Sequence, residues 1–324
     1  MTDPTAPLKI GVVGVPGGWS TESLCDALED RTGYRFLIDM DKVRFDSELG
    51  TVLCGDQDLC QLDGLAIKKA GKLHGTLLMD RLELIRYVER SGVPCFSSPA
   101  RILRHLNRLS VTLALRGADL PVPATVVSQD PAEIVAAIKR FGAAVLKPIY
   151  STKARGMKLL KRDDAGLKAE VRAYCAKHPL AYVQQHVQHP GRDLGIVFLG
   201  GEHLGTYARV AAKGSWNTTI RAGGRYAPAD PGPEVIELAR RAQAIFGLDF
   251  ASVDVAETPE GPVVFEVTAF GGFRGLRDAT GVAAAERYAD YVVDRVRVRH
   301  KSRLSEEPAP QEPTLQEPTP QETA

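Results

Sequence analysis

The chain has 324 residues, of which 44% are hydrophobic and 25% are charged, an ordinary balance for folded domains in water. Its 41 basic and 40 acidic residues give a net charge of +1, so no global field favours nucleic acid or a membrane as partner. We expect no signal peptide, because the start MTDPTAPLKIGVV has no charged segment followed by a long apolar stretch. We also expect no membrane helix, since no apolar run approaches the roughly 20 residues that one needs. The five cysteines follow no disulfide or zinc spacing, so we expect a cytoplasmic protein with small, buried thiols.

Strands and helices alternate over about the first hundred residues. Short apolar runs bounded by glycine or proline predict strands, and longer stretches with apolar residues at helical spacing predict helices. The predicted strands are LKIGVVGVP, YRFLIDM, GLAIKK and VPCFSS, and the predicted helices are STESLCDALEDRTG, with a serine or threonine cap, and TLLMDRLELIRYVERSGV. This βαβ order predicts an α/β domain over residues 1–100 with a parallel sheet.

The turn GVPGGWS follows the first predicted strand and resembles a dinucleotide fingerprint. Gly11, Gly14, Gly17 and Gly18 are spaced G-x-x-G-x-x-G-G, however, and not G-x-G-x-x-G, although Asp39 follows about 20 residues later. The turn therefore has three interpretations: a dinucleotide site, a contact between the helix N-terminus and a small anionic molecule, or a tight turn with close helix packing.

The rest of the chain predicts a different architecture. It begins with one long helix, PARILRHLNRLSVTLALRGA, and ends with another, GVAAAERYADYVVDRVRV. Between them lie strand-rich segments joined by short turns such as LGGE and TPEG, which are typical of antiparallel hairpins. We therefore predict an α+β second half with antiparallel sheets. Residues 303–324 repeat a Q-E-P-T unit with almost no apolar residue, which predicts a disordered tail.

A lysine inside an apolar strand is the first candidate for chemistry. Lys147 ends the run AVL, and a lysine there is costly to bury unless it meets an anion. The hydroxyls and cations of YSTKARGMK follow, and a further strand comes next. A strand, a cationic loop and a strand can lie across a polyphosphate. The alternative is an edge strand with a solvated hairpin.

Two carboxylates on neighbouring predicted strands are the second candidate. Asp254 in FASVDVAE and Glu266 in VVFEVTAF each alternate with valines, so both point to the same side of the sheet. A shared cation would compensate their charges, and carboxylates that bind Mg²⁺ together with phosphates are typical of phosphoryl transfer. Salt bridges to Arg209 or Arg221 are the alternative. Thr268 follows on the face of Glu266, before the turn GGFRG.

Taken in order, several stretches resemble the ATP-grasp superfamily, in particular its branch of ribosomal-protein S6 glutamate ligase and related carboxylate–amine ligases. The resemblance covers about Leu8 to Val298 and rests on VLKP, YVQQHV, GRDLGIVFLGGE, TYARVA, GGRY, SVDVAE and VFEVTAFGGFRG. It implies a pre-ATP-grasp domain over 1–100 and an ATP-grasp domain over 101–302, with a lid lobe at about 122–188 and a C-terminal lobe at about 189–302.

A narrower resemblance is carried by GVPGGWS, KPIYSTKARGM, SWNTTI and FEVTAFGGFRGL. These stretches look like the ATP-grasp proteins of the so-called GAK gene cassette, which also encodes an HPr-kinase-like protein and a small amphi-Trp-domain protein. This resemblance implies those two proteins as possible partners. It does not imply a substrate.

The superfamily resemblance also implies roles for individual residues. The nucleotide would be held by Arg108, Lys147, the phosphate loop with Ser151, Thr152, Lys153, Arg155 and Gly156, the adenine hinge with Gln184, Gln185, His186 and Val187, and Asp193 on the ribose side. The metal would be held by Asp254, Glu266 and Thr268. Arg209 would lie beside the γ-phosphate. Arg274 would offer a charge to a carboxylate or phosphate of the second substrate, and a salt bridge in helix packing is the alternative for it.

The chain departs from the family pattern at three places. The phosphate loop is poorer in glycine than usual, Gln185 stands where glutamate is usual in the hinge, and the metal strand reads E-x-T where E-x-N is usual. The resemblance implies a ligase that uses ATP and Mg²⁺ or Mn²⁺ to join a carboxylate to an amine or thiol through an acyl phosphate. The substrate would be a peptide, an amino acid or a small metabolite, and the enzyme would be a possible homo-oligomer.

Two other functions stay open on the sequence alone. Because of the E-x-T strand, the protein could bind ATP as a regulatory or scaffold protein beside an HPr-kinase-like partner. It could also be an ATP-dependent phosphotransferase, which would release a phosphorylated product in place of an amide. A nicotinamide enzyme ranks behind both, since one glycine turn is its only support.

Overall fold

The structure is a computed structural model that describes residues 7–72, 75–151 and 154–306, with only the backbone of 303–306. The last helix reaches Glu306, so the first four residues of the predicted tail are helical. The remainder of that tail, 307–324, lies outside the described residues. All five cysteines are unpaired.

The N-terminal region is built on a parallel sheet, as the βαβ pattern predicts. Its strands lie in the order β2-β1-β6-β7, and a small antiparallel sheet, β3-β4-β5, adjoins it. The elements are β1 (Ile10–Gly14), α1 (Trp19–Thr32), β2 (Leu37–Asp39), β3 (Val43–Asp46), β4 (Thr51–Cys54), β5 (Gln57–Asp58), β6 (Gly64–Ile67), α2 (Thr76–Arg90) and β7 (Cys95–Phe96).

Two helices then lead into a four-stranded antiparallel sheet, which we call the lid sheet. Its order is β10-β9-β11-β8, and the buried faces of α5 and α6 cover one side of it. The elements are α3 (Pro99–Leu106), α4 (Arg108–Gly117), β8 (Thr125–Ser128), α5 (Pro131–Phe141), β9 (Ala143–Lys147), β10 (Lys158–Lys161), α6 (Leu167–Lys177) and β11 (Ala181–Gln185).

A five-stranded antiparallel sheet, the C-terminal sheet, completes the core. Its order is β14-β13-β12-β15-β16, with α7 packed on one face and α8 against β13 and β14. The elements are β12 (Arg192–Leu199), β13 (Glu202–Val210), β14 (Arg225–Pro228), α7 (Pro233–Ala244), β15 (Phe250–Thr258), β16 (Gly261–Thr268), α8 (Phe273–Thr280) and α9 (Ala284–Glu306). The predicted fold class, α/β followed by antiparallel sheets, is confirmed.

The single long helix predicted at PARILRHLNRLSVTLALRGA is wrong. The chain forms α3 and α4, because Asn107 adopts an extended conformation and caps the second helix. Its side-chain oxygen accepts hydrogen bonds from the backbone N–H groups of Leu109 (2.8 Å) and Ser110 (3.3 Å). A helix-interior pattern hides such a break, since asparagine is tolerated inside helices and preferred at caps.

The serine or threonine cap predicted for α1 is also wrong. The N-cap is Gly18, without a side-chain cap, and the Glu22 carboxylate accepts a hydrogen bond from Gly17 N–H at 2.8 Å. Because a carboxylate already occupies the anion position of this turn, the geometry opposes binding of a dinucleotide or other anion to those N–H groups.

The C-terminal helix returns to the N-terminal region. α9 packs against α1, and Val296 shares a buried cluster with Ile10, Leu24 and Leu28. The Arg31 guanidinium donates to Asp290 at 2.5 Å across the same contact. Among the described residues, no helix is both long and apolar enough to cross a bilayer.

Candidate active site

A cleft of about 180 Å³ lies between the lid sheet and the C-terminal sheet. Strands of both sheets contribute side chains to its wall, so residues far apart in sequence meet there. The lining residues are Arg108, Val145, Lys147, Ala154, Met157, Gln184, Gln185, His186, Val187, His189, Asp193, Arg209, Trp216, Asn217, Thr218, Thr219, Asp254, Phe265 and Glu266.

Lys147 stands at the end of β9 and points into this cleft. Its ammonium donates to the side-chain oxygen of Gln184 at 2.5 Å and lies 5.4 Å from the centre of the Phe265 ring. Burial, and then the positive charge of Arg108, lowers the pKa of Lys147 to about 7. An anion in the cleft would restore its charge, which favours the anion-binding interpretation over the solvated edge strand.

Arg108 is the first residue of α4, so the Asn107 cap decides where it points. Its guanidinium is 9% exposed and donates to the backbone oxygens of Pro148 (3.2 Å) and Ser151 (2.9 Å). It also approaches Glu266 at 3.5 Å. Arg108 therefore ties the start of the predicted phosphate loop to the strand of the predicted metal ligands.

The predicted phosphate loop is only partly described, since Thr152 and Lys153 lie outside the described residues. Ala154 lines the cleft, whereas Arg155 and Gly156 are not among the lining residues. Gly156 has a φ of +70°, which favours glycine there.

The predicted adenine hinge, 184–187, lines the cleft along its whole length. The N–H groups of Gln185 and His186 already donate to Ala124 (2.8 Å) and Ala143 (3.0 Å), so they are occupied within the fold. The Val187 N–H makes no hydrogen bond within the part of the chain that the structure describes. Val187 is therefore the hinge residue whose backbone N–H is available to a base.

Arg209 connects two carboxylates at the other end of the cleft. Asp193 and Arg209 are register partners on β12 and β13, and their side chains form a buried ion pair. Arg209 also contacts Asp254 at 2.8 Å. Burial acts to lower the pKa of Arg209, but Asp254 and Asp193 hold it well above its ordinary value. The resemblance predicts Asp193 on the ribose side of the nucleotide. In the structure Asp193 lines the cleft, and its carboxylate is paired with Arg209.

Asp254 and Glu266 are direct partners in the β15–β16 register, as the alternating pattern predicts. Burial raises the pKa of Asp254 to about 6, even though Arg209 acts to lower it. Among the described residues, no group of three or more acidic, histidine or cysteine side chains is arranged for a metal. Two carboxylates in a phosphate-sized cleft still fit Mg²⁺, which uses one or two carboxylates together with substrate phosphates.

Besides Ser151, Arg155 and Gly156 of the phosphate loop, two further predicted residues are absent from the cleft wall. The Thr268 hydroxyl accepts a hydrogen bond from Phe270 N–H at 3.2 Å, and Thr268 is not a lining residue. Arg274 is exposed at the start of α8, 5.3 Å from the Trp19 ring, so GGFRG begins a helix and is not only a turn. The structure therefore divides the predicted site into a central cleft and a flank.

Sequence reasoning missed three contributions. Trp216 to Thr219 cover the cleft between β13 and β14, and the signal was present in SWNTTI. His189 lines the cleft with its Nδ1 buried and without a hydrogen-bond partner among the described residues. Lys68 is 1% exposed and donates to the carbonyl oxygens of Gly271 (3.0 Å) and Phe270 (3.4 Å), a long-range contact without a local signal.

Comparison with known proteins agrees with this geometry. Residues 107–292 match the RimK-like ATP-grasp domain family. The chain is 26% identical over 318 residues to a tetrahydromethanopterin:alpha-L-glutamate ligase of Methanosarcina acetivorans, covering 88% of this chain and 98% of that protein.

Two solved structures share the fold. The ATP-grasp ligase PsnB, complexed with a phosphomimetic variant of its minimal precursor, Mg and ADP, superposes with a TM-score of 0.71 at 18% identity over 90% of this chain and all of that one. A RimK domain ATP-grasp protein from Sphaerobacter thermophilus superposes with a TM-score of 0.69 at 23% identity. The match covers 88% of this chain and 99% of that one. Since the family match spans more than half of the sequence, the chain belongs to the RimK-like ATP-grasp family and is a ligase that forms carbon–nitrogen bonds.

Proposed function

We propose that this protein is an ATP- and Mg²⁺-dependent ligase that joins a carboxylate to an amine through an acyl phosphate. The observation that carries the proposal is the convergence of Lys147, Arg209 and the Asp254–Glu266 pair on one cleft. Lys147 belongs to the lid sheet, whereas Arg209 and the two carboxylates belong to the C-terminal sheet. A cleft with a cation on each side and two carboxylates on one side is suited to a polyphosphate with its metal.

The proposed reaction has two steps. A substrate carboxylate oxygen attacks the γ-phosphorus of ATP, the bond to the bridging oxygen breaks, and ADP leaves. An amine then attacks the acyl carbon, phosphate leaves with the bonding electrons, and the amine loses a proton. This chemistry depends mainly on positioning and charge stabilisation, so it needs no nucleophilic side chain.

Each cleft residue has a proposed part in that scheme. Lys147 holds the α- and β-phosphates, and Arg209, kept charged by its two carboxylates, stabilises the transferred phosphoryl group. Val187 offers its backbone N–H to the base. Asp254 and Glu266 would hold Mg²⁺, which neutralises phosphate charge when bound.

The substrate class is inferred from the relatives. The Methanosarcina protein is named for the ligation of L-glutamate, and a RiPP-associated ATP-grasp ligase among the solved structures is complexed with leader and core peptides. We propose an amino acid as the amine and an acidic small molecule or peptide as the carboxylate. The cytoplasmic location, the HPr-kinase-like and amphi-Trp partners and the domain boundaries stay predictions from the sequence.

One observation favours a second function, an ATP-binding regulatory protein. The Thr268 hydroxyl, predicted as a metal ligand, is bonded to the backbone and does not line the cleft. Only the two carboxylates would then hold metal. A regulatory protein would bind ATP but release no ADP when carboxylate and amine are supplied, whereas the ligase releases one ADP for each amide formed.

Thermal unfolding with ATP tests the site directly. We expect ATP with Mg²⁺ at about 100 times its Kd to stabilise the protein by roughly 2.7 kcal/mol, which raises the Tm by a few degrees. Lys147→Met keeps most of the side-chain volume but removes the charge, so it should lose most of this increase. Glu266→Gln should lose only the part that depends on Mg²⁺.

Lys161→Met is the matched control, because Lys161 lies exposed on β10 in the same sheet. It should respond to ATP like the wild type. If ATP raises the Tm of Lys147→Met as much as that of the wild type, the cleft is not the nucleotide site. The same conclusion follows if ATP does not raise the Tm of the wild type.

A further inference from the structure

The face of the lid sheet that is turned away from α5 and α6 carries buried polar side chains. On β11, Ala181 and Val183 belong to the buried cluster under those helices. Tyr182 and Gln184 alternate with them and therefore point to the opposite face. Both are 2% exposed, so their polar groups need hydrogen-bond partners within the protein. Lys147 is the register partner of Tyr182 across β9 and β11, so it lies on this same face.

A chain of hydrogen bonds leads along this face from Lys147 to α4. The Lys147 ammonium donates to the side-chain oxygen of Gln184 at 2.5 Å, and the Gln184 amide nitrogen donates to the Tyr182 hydroxyl at 3.0 Å. The Tyr182 hydroxyl lies 2.8 Å from the Thr112 hydroxyl on α4. Thr112 in turn donates to the carbonyl oxygen of Arg108 at 3.0 Å. The chain therefore ends on the backbone of the residue that bonds the phosphate-loop segment.

The number of available protons fixes the direction of the bonds at the α4 end. A threonine hydroxyl has one proton, and Thr112 uses it toward the Arg108 carbonyl. The contact between Thr112 and Tyr182 therefore requires the Tyr182 hydroxyl to donate. With its only proton used, Tyr182 can meet Gln184 only as an acceptor.

The Gln184 amide consequently has one favourable orientation. Thr125 is its register partner across β8 and β11, and the Thr125 hydroxyl lies 3.4 Å from the amide nitrogen. Thr125 has already donated its own proton to the Pro123 carbonyl at 2.9 Å, so it is a second acceptor. A reversed amide would bring its oxygen against two other oxygens and its N–H groups against an ammonium. Gln184 therefore presents its oxygen to Lys147.

A neutral acceptor suits a lysine that has to meet phosphates. The Gln184 oxygen uses one of the three N–H groups of Lys147 and compensates no charge, whereas a carboxylate there would pair with the ammonium. Arg108 lies close enough for its charge to act on Lys147. Because like charges repel, bonds that hold the two cations in place prepare the site for a polyphosphate that meets both.

We propose that Tyr182 is a positioning residue for the phosphates of the bound nucleotide. It acts through Gln184 on Lys147 and through Thr112 on the start of α4, and it thereby fixes the spacing of Lys147 and Arg108. The inference rests on the proposed function, because it requires the nucleotide to lie in the cleft. It adds that the preference for ATP over adenosine depends on a hydroxyl that is not part of the cleft lining.

Tyr182→Phe tests this role, because it keeps the ring and removes the hydroxyl, so that the Gln184 amide loses an acceptor and can turn. We expect the Kd of ATP with Mg²⁺, measured by isothermal titration calorimetry, to rise roughly five- to tenfold. Adenosine, measured by ligand-observed NMR, should keep its affinity because it has no phosphate. Tyr288→Phe removes another buried tyrosine hydroxyl, outside the cleft lining, and is the control that should bind ATP like the wild type.

Thr112 tests the other end of the chain at a half-buried position, and it decides the question if Tyr182→Phe does not fold. Thr112→Val removes the hydroxyl at nearly constant shape and should weaken ATP binding as Tyr182→Phe does. Thr112→Ser keeps a hydroxyl and should bind like the wild type. The double variant Tyr182→Phe/Thr112→Val should be no weaker than Tyr182→Phe alone, because both changes interrupt the same chain.

Several outcomes would overturn the inference. One is a Tyr182→Phe or Thr112→Val protein that binds ATP like the wild type. Another is an equal loss of affinity for adenosine, or an equal loss in Tyr288→Phe, since the effect would then follow from stability. If the wild type binds ATP and Lys147→Met does not, the ATP site stands even where Tyr182 has no effect. If the wild type does not bind ATP, the proposed function itself fails.

Discussion

At the scale of single residues, the structure holds two lysines where lysines are rarely found. Lys68 is fully buried and Lys147 is partly buried in the cleft wall, and burial lowers the pKa of each to about 7. Lys147 faces a cleft in which a phosphate can restore its charge. Lys68 contacts two backbone carbonyls and two aromatic rings, so its position serves the loop that it holds.

Lys68 predicts a pH dependence of stability. Its pKa in the folded protein lies below its ordinary value near 10.5, so between about pH 7 and 10 the unfolded chain binds the extra proton. Its contribution to the free energy of unfolding therefore rises with pH over this range, by about 1.4 kcal/mol per pH unit at most. In Lys68→Met this contribution disappears.

The measurement is urea unfolding of both proteins at several values between pH 6.5 and 9.5. Other titrating groups, including Lys147, contribute equally to both proteins and cancel in the difference. We expect the stability difference, wild type minus variant, to increase with pH. A difference that stays constant would mean that Lys68 keeps its ordinary pKa.

At the scale of elements, the break between α3 and α4 places a functional residue. Asn107 caps α4 and the next residue, Arg108, bonds the phosphate-loop segment. Asn107→Ala removes the cap and should cost about 1 kcal/mol, which lowers the Tm by a few degrees. It should also weaken ATP binding, because the cap fixes the first turn of α4 and therefore the position of Arg108 beside the phosphate loop.

Asn107→Ser is the control for this change, since serine keeps a cap acceptor and should recover most of the stability and affinity. Thermal unfolding and an ATP titration measure both effects. Equal stability of the alanine variant and the wild type would show that the cap does not determine this helix start.

At the scale of the whole molecule, α9 joins the N-terminal region to the C-terminal sheet. The Tyr288 hydroxyl donates to the Phe96 carbonyl at 2.6 Å, fully buried, and its ring packs with Phe250 and Phe273. Tyr288→Phe leaves that carbonyl unsatisfied, which should cost about 1–3 kcal/mol. The two regions should still unfold in one transition, since the ring contacts remain.

Tyr87→Phe is the matched control, because the Tyr87 hydroxyl donates to Gly50 at an exposed site. There water replaces the lost bond, and the stability should change little. Calorimetry gives both values. Equal costs for the two substitutions would contradict the view that burial makes the Tyr288 bond important.

Some of the site follows from the sequence alone. Strand periodicity places Asp254 and Glu266 on one face, and the structure pairs them in register. A lysine at the end of an apolar strand predicts a site for an anion, and Lys147 lines the cleft that the structure shows. These features depend on local alternation and on the cost of burying a charge, so neighbouring residues are enough to show them.

The rest depends on contacts between distant segments. The contact of Arg209 with Asp254, the anchoring of the Gly271 loop by Lys68, and the contact of Trp19 with α8 join residues without a common periodic pattern. The sequence by itself determined the alternation of elements, the family and the strands that carry the charged residues. Only the tertiary structure decided which backbone N–H groups of the hinge are bonded within the fold and which helix the N-terminal turn contacts. These contacts form when the elements pack together, so no local pattern in the sequence predicts them.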